Sequence, residues 1–345
     1  MTSVAVVGTG SAGLRHLANL LRLGVGEVIA VSEHGRRQDL AVDGVPIPVL
    51  HDYGEALDRV DAVVIANPTS LHHSYLEAAV RAGRSVLCEK PVSTSAAGVA
   101  ELARAADEAG VVVGVGCQFR FNRMLGRLRD RVLGGELGTI LDVDAVLGEH
   151  LADYHPDEDY RRSYAARQDR GGGVLLTQIH QVDFLGWIFG PFVTAFAVGG
   201  RRTDLDIDVE DSVSYMLESA AGVGIRAHMD YAQRPKRLDL VVTGTGGRIG
   251  WDYHRNELTL EAAAAGTSPE VHREPFDRND MFCELMADFL DSVRTGRPPR
   301  TTLDDAAAAL AVVDAIKGSL RVGGSVAVAG SADTRQALSG AGRRG

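Results

Sequence analysis

A short apolar run at residues 4–7 feeds directly into Gly8-Thr9-Gly10-Ser11-Ala12-Gly13, and no other feature constrains the chain as much. A run without polar alternation suits a parallel strand buried on both faces. Residues 14–23 follow, with Leu14, Leu17, Leu20 and Leu21 at helical spacing. Three glycines in G-x-G-x-x-G spacing between strand and helix have a physical logic. Gly8 permits a tight turn, Gly10 lets the backbone approach a pyrophosphate, and Gly13 lets the helix pack close to the strand. Ser11 and Ala12 fall in the first helical turn, whose amides and partial positive charge suit such an anion. Twenty residues past Gly13 stands Glu33, at the end of a second strand pattern, where a carboxylate bonds both ribose hydroxyls. That carboxylate repels a 2′-phosphate, so NAD is expected over NADP. Arg36 and Arg37 lie three and four residues on and offer the opposite preference.

The alternation continues. Strand-like runs at 27–31, 62–66, 85–88 and 111–116 are separated by helix-like stretches that include 71–81 and 96–108. Strict alternation of this kind argues for a doubly wound parallel sheet with helices on both faces. It stops after Cys117. Partly alternating runs follow at 140–146, 213–217, 224–229 and 238–243, with helices expected at 175–189 and 281–294. An Ala-rich helix at 303–320 is expected to pack back as a brace. The fold class is therefore α/β, with a nucleotide-binding domain over 1–120 and a second α/β domain over 121–330. The Gly/Ser/Arg-rich stretch 331–345 is read as a flexible tail.

Composition narrows the partners. A net charge of −10 provides no basic footprint for nucleic acid or an anionic membrane. No apolar run approaches the ~18–20 residues of a membrane span, and the chain enters a strand at once without a basic, apolar leader. Cys88, Cys117 and Cys283 lie far apart, with no C-x-x-C pair, so neither a disulfide framework nor a metal site is expected. A reducing cytoplasm is the compartment this implies.

From Asp61 the chain reads DAVVIANPTSLHHSYLEAAVRAGRSVLCEKPVS. With the opening turn, this resembles the Gfo/Idh/MocA family, the relatives of glucose–fructose oxidoreductase and inositol dehydrogenase. The matching features are Asn67-Pro68 followed by His72, a helix ending in Ala82-Gly83, and Glu89-Lys90-Pro91. GELGTILDV at 135–143 and GGGVLLTQIHQVDFLGWIFG at 171–190 are similar too. The resemblance implies a Rossmann domain followed by a domain built on a large, open, mostly antiparallel sheet. It also implies cofactor contacts from Asn67, Pro68, His72, Glu89 and Lys90. The substrate would be a sugar, nucleotide-sugar or cyclitol, and the assembly a homodimer or homotetramer.

Taking a hydride from an alcohol carbon needs a base for the hydroxyl proton. Lys90 follows a parallel strand's carboxyl end, where open α/β sheets bind ligands, and desolvation would pull its pKa toward working pH. The resemblance gives this lysine an acid–base or substrate-binding role. It places His180 beside the reacting hydroxyl, with Asp183 one helical turn on. Many relatives carry an aspartate four residues before that histidine. Leu176 stands there, and Thr177 is the nearest polar replacement. This departure shifts the weight of proton transfer onto Lys90 and resembles a subgroup working on sugars attached to larger groups. Gly171-Gly172-Gly173 is read as allowing a ligand to approach closely. Arg120, Asn122 and the polar segment 153–162, with Tyr160, are further substrate-binding candidates. Two other readings stay open: a lyase or glycoside-cleaving enzyme that recycles its NAD, and a non-catalytic NAD-binding regulator.

Overall fold

The computed structural model describes residues 2–33, 38–264 and 266–330. Arg36, Arg37 and the 331–345 stretch fall outside them. The chain divides into two compact units, Met1–Phe121 with Asp277–Ala307, and Asn122–Phe276 with Ala308–Gly345.

The first unit is a Rossmann-like α/β layer structure. Its strands are β1 (Ser3–Val7), β2 (Glu27–Val31), a hairpin of β3 (Leu40–Val42) and β4 (Val45–Ile47), β5 (Val49–Leu50), β6 (Ala62–Ile65), β7 (Ser85–Cys88) and β8 (Val113–Val115). Six of them form one sheet in the order β5-β2-β1-β6-β7-β8, and its pairs are all parallel. The strand order reverses direction at β1, which opens a crevice at the carboxyl ends of β1 and β6. Val4, Ala5 and Val6 are fully buried, as are Ala62 through Ile65, which is why these strands lack alternation. Helices α1 (Ser11–Arg22), α2 (Tyr53–Arg59), α3 (Thr69–Arg81) and α4 (Val99–Ala109) cover the sheet. Helix α1 seats Leu17 and Leu20, both fully buried, each contributing about 1.5–3 kcal/mol of transfer free energy.

The helix Arg278–Thr295 belongs to this first unit, although the sequence division at 120 placed it in the second. Asn279 donates to Asn19 Oδ1 on α1 at 2.8 Å, and the Arg15 guanidinium lies 4.4 Å over the Phe282 ring. Phe289 packs against Gly114 of β8.

The second unit is built on a nine-stranded sheet. Its strands are β9 (Ile140–Gly148), β10 (Phe192–Gly200), β11 (Ser212–Ser219), β12 (Gly224–Asp230), β13 (Arg237–Gly244), β14 (Gly247–Asp252), β15 (Glu257–Ala262), β16 (Glu270–Arg273) and β17 (Val326–Ala327). The order is β16-β15-β14-β13-β9-β12-β11-β10-β17, antiparallel throughout except for the β9–β12 pair. One face is core, with Val143, Tyr215, Ile225, Leu240, Ile249 and Trp251 buried. The other face exposes Phe196, Val198 and Met216, at 36%, 55% and 52%, too much apolar surface for a face packed on its own chain. Helices α5 (Arg123–Leu133), α6 (Val174–Thr177) and α7 (His180–Phe189) also lie in this unit. In the C-terminal part of the helix Leu303–Val322, Ser319 Oγ accepts from the Ala197 amide of β10 at 2.8 Å, so this part braces the sheet as expected. No helix among the described residues is long and apolar enough to cross a membrane.

Candidate active site

The opening turn of the first unit needs each of its glycines for a different reason. Gly8 has φ +97°, in the left-handed region, and a Cβ there would lie 2.7 Å from the Ala66 carbonyl oxygen. A Cβ on Gly13 would run into the Gly8 carbonyl, so close packing of helix on turn demands glycine there. At Gly10 a Cβ would meet nothing within 4 Å, and no side chain caps α1. The first-turn amides, with Ser11 exposed and Ala12 partly so, are thus open to an anion. Asn67, just past β6, has its amide nitrogen and oxygen both buried without a protein partner. An open glycine cradle beside an unsatisfied amide fits a dinucleotide. Glu33 is exposed and accepts a hydrogen bond from the Tyr75 hydroxyl, whose ring packs 4.7 Å from that of Tyr53.

Glu89, Lys90 and Pro91 continue from β7. Glu89 Oε1 lies 2.8 Å from His16 Nε2 on α1, and Glu89 Oε2 accepts from the Lys90 amide at 3.3 Å. Burial pushes the Glu89 pKa up, but the His16 bond and the charges of His16, Lys90 and His72 outweigh it and leave it below the usual value. Lys90 retains some exposed surface, yet loss of hydration pulls its pKa down. Glu89 and Cys117 oppose that shift, and Arg278 reinforces it.

His72 corrects an expectation. It is buried, with Nδ1 2.7 Å from the Pro91 carbonyl oxygen and Nε2 2.8 Å from that of Asn67. Both ring nitrogens lie against backbone carbonyls, so His72 ties the segment just after Lys90, at Pro91, to the Asn67 turn. Pro68 is exposed at the amino end of α3. Arg120 is corrected too: its guanidinium is buried, bonded to Asp305 at 3.1 Å and to the Arg300 carbonyl at 3.3 Å. It anchors the 300–305 segment.

In the second unit, Asn122 is the cap of α5. Its Oδ1 accepts from the Leu125 amide at 2.9 Å, so the oxygen end of this 2% exposed side chain serves the helix, while Nδ2 is buried without a protein partner. The expected helix over 175–189 is broken. Ile179 N reaches Leu176 O at 3.4 Å and Gln181 N reaches Gln178 O at 3.0 Å, i→i−3 bonds that end α6 and restart α7. Thr177 closes α6, and His180 opens α7. His180 and Asp183 are buried along with every residue from 171 to 185, so α7 has no solvent strip in its first turns.

The glycine triplet has an internal cause rather than the ligand approach that was expected. A Cβ at Gly172 would lie 2.5 Å from the Tyr164 carbonyl oxygen, and one at Gly173 (φ +104°) would strike the Glu210 carboxylate. Tyr160 lies in the polar segment 153–162 and accepts from the Asp206 amide at 3.3 Å, while Arg234 holds Asp153 through two bonds of 2.7 and 2.8 Å.

Three polar residues escaped sequence reasoning. Gln178 donates to the Tyr154 hydroxyl at 2.6 Å. Gln181, fully buried, accepts from the Tyr215 hydroxyl at 2.7 Å and donates to the His228 carbonyl at 3.3 Å. His16 is the third, and it carried a signal: it is a polar residue on α1 one turn from Asn19, and both are 1% exposed. No group of three or more His, Cys, Asp or Glu side chains is placed to hold a metal among the described residues.

Comparison with known proteins agrees with this geometry. Residues 2–117 match the model of the GFO/IDH/MocA oxidoreductase family, described as an NAD-binding Rossmann fold, and residues 125–250 match that family's C-terminal domain. The D-xylose 1-dehydrogenase (NADP(+)) 2 of Haloferax volcanii is 27% identical, covering 93% of this chain and 98% of that protein. The myo-inositol 2-dehydrogenase of Thermotoga maritima is also 27% identical, covering 92% and 96%. A levoglucosan dehydrogenase solved with NADH superposes with a TM-score of 0.83, covering 95% of this chain and 99% of that one; at 18% identity this speaks to the fold.

Proposed function

The chain belongs to the Gfo/Idh/MocA oxidoreductase family, and on that footing we propose that Lys90 carries the proton in hydride transfer to or from a secondary carbinol of a sugar, nucleotide-sugar or cyclitol. It is an NAD(P)-dependent oxidoreductase acting on CH–OH groups. The observation that carries the proposal is the amine of Lys90 at the carboxyl end of β7, its pKa drawn down by burial, in the same sheet as the glycine turn. When bound, the nicotinamide supplies the hydride acceptor or donor.

The chain's own residues do the rest. Gly8, Gly10, Ser11, Ala12 and Gly13 hold the pyrophosphate on the α1 amides, and Glu33 accepts from the ribose hydroxyls. In the oxidative direction the neutral Lys90 amine takes the hydroxyl proton as the C–H bond breaks, and in reduction the ammonium returns it. His180 hydrogen-bonds the reacting oxygen, with Thr177, Asp183 and Tyr160 as further substrate contacts. The Glu33 carboxylate favours NAD, in a cytoplasmic enzyme. The exposed Phe196, Val198 and Met216 support a homodimer or homotetramer formed on the open sheet face, which light scattering at micromolar concentration tests.

The test of function is a substrate screen across polyols, cyclitols and sugars, followed at the NADH absorbance band. Net NADH production from a carbinol substrate is the expected result. Substrate turnover without net NADH would identify a cofactor-recycling lyase instead.

A further inference from the structure

The peptide that carries Lys90 is gripped from both sides by buried histidines. On one side, His16 is 1% exposed and reaches Glu89 Oε1 at 2.8 Å, while the other oxygen of the same carboxylate accepts the Lys90 amide. His16 Nδ1 is buried without a protein partner, and the carboxylate can only accept, so Nε2 is the ring nitrogen that donates to Glu89. On the other side, His72 takes the Pro91 carbonyl. Glu89 has little freedom to move. Its amide donates to the Ile65 carbonyl at 2.9 Å, and Gly116 packs so tightly that a Cβ there would lie 2.9 Å from Glu89 Oε2 and 3.1 Å from its Cα. The first oxygen is held by α1, and the second is thereby left on the Lys90 peptide.

We propose that His16 is a positioning residue for Lys90, acting through the Glu89 carboxylate. The inference rests on the role proposed above for Lys90, and the chemistry runs through charge as well as orientation. Glu89 is the group that supports the protonated amine against burial. Lys90 also faces Cys117 and Arg278, with His72 nearby, and Glu89 faces His16, His72 and Cys88. His16 makes a side-chain hydrogen bond to the Glu89 carboxylate, the bond that most directly fixes its orientation. Releasing that bond lets the carboxylate swing from the Lys90 peptide, weakening its hold on the ammonium and loosening the amine's aim.

The chain has three lysines, Lys90, Lys236 and Lys317, so an NMR titration of ε-13C-labelled lysine in the full-length protein resolves Lys90 directly, assigned by its loss in Lys90→Met. Lys90 is expected to titrate lower in His16→Ala than in the wild type, and lower still in Glu89→Gln. His16→Gln, which restores an N–H donor, should recover much of the difference. A purely structural role for His16 would lower the melting temperature of His16→Ala and leave the Lys90 titration where the wild type has it. That result overturns the proposal. If His16→Ala does not fold, Glu89→Asp replaces it: the charge stays, but the shorter side chain cannot span both partners, and an unmoved Lys90 titration is again fatal. Once a substrate is known, single-turnover transfer in His16→Ala should fall about 10-fold, the scale typical of a partner that orients an acting group. Because the titration needs no substrate, a shifted Lys90 with no dehydrogenase activity would sink the functional reading while leaving the coupling of His16 to Lys90 intact.

Discussion

The Tyr75 hydroxyl donates to the Glu33 carboxylate, tying α3 to the residue two past the end of β2. An ionised carboxylate has about four acceptor sites, so this bond orients Glu33 and leaves capacity for ribose hydroxyls. NAD(H) should therefore bind more tightly than NADP(H). Glu33→Ala should weaken NAD(H) by about 10–100-fold, the range for losing hydrogen bonds to a charged group. Fluorescence titration of both cofactors checks this, and equal or tighter NADP(H) binding by the wild type would reverse the assignment.

Lys90→Met should lower turnover by about 10²–10⁴-fold, as expected for loss of an acid–base group, with NAD(H) affinity preserved. His180→Asn should cost less and raise KM as well as lower kcat, because a hydrogen-bonding partner of the substrate oxygen acts in both states. Single-turnover hydride transfer in the two variants decides between these roles. A dead His180 variant beside an active Lys90 variant would make the histidine the proton carrier.

The pH dependence of the oxidative rate follows from Lys90. The neutral amine is the reactive form, and burial lowers its pKa, so kcat/KM for oxidation should rise with pH and level off below the ~10.4 of an ordinary lysine. A profile still climbing beyond that value would show that Lys90 is not the base.

Acid should destabilise the first unit in two stages. Burial holds the His72 pKa below the ~6.5 of the unfolded chain, so the unfolded state takes up the proton first and stability falls as pH drops through that value. Glu89, whose folded pKa is lowered, contributes stability present above ~4.3 and lost as pH falls toward its folded value. Melting temperatures from pH 8 to about 2.5 should decline in both windows, and Glu89→Gln should flatten the lower one. An unchanged lower limb in that variant would contradict the account.

Two glycine substitutions should separate fold from binding. Gly173→Ala forces a Cβ against Glu210 at a positive φ and should destabilise by about 1–3 kcal/mol. Gly10→Ala meets open space at φ −78° and should leave stability within about 0.5 kcal/mol while weakening dinucleotide binding. Denaturant melts and cofactor titrations check the pair, and a Gly10→Ala variant with unaltered NAD(H) affinity would remove the glycine turn from the binding site.

The first unit was largely legible because its information is local. Doubly buried parallel strands appear as unbroken apolar runs, and the turn glycines lie beside the strand and helix they serve. What failed depended on distant partners. His16 and Glu89 meet across 73 residues, and nothing in α1 alone names that carboxylate. Asn122 and Arg120 look like polar residues free to meet a ligand, and only the folded chain shows one capping α5 and the other bound to Asp305. The break at Gln178 was hidden because the apolar stripe of Leu175, Ile179 and Val182 keeps helical spacing across it. The glycines at 172 and 173 were read as making room for a ligand, whereas the groups that crowd them are Tyr164 and Glu210 of the same chain.

The single parallel pairing of the large sheet sets the order in which that sheet can be assembled. Strand β9 lies at its centre, yet its neighbours β12 and β13 come much later in the chain; the Asp142–Arg226 pair across β9 and β12 spans 84 residues. The meanders β10-β11-β12 and β13-β14-β15 can each zip through short connections. Joining them brings β9 between β12 and β13, closing a long loop whose entropic cost falls on that step. Until it happens, β12 and β13 each present an unsatisfied edge, the kind of surface through which half-folded chains pair with one another. The central strand is thus where refolding of this unit should be slowest and its losses to aggregation greatest.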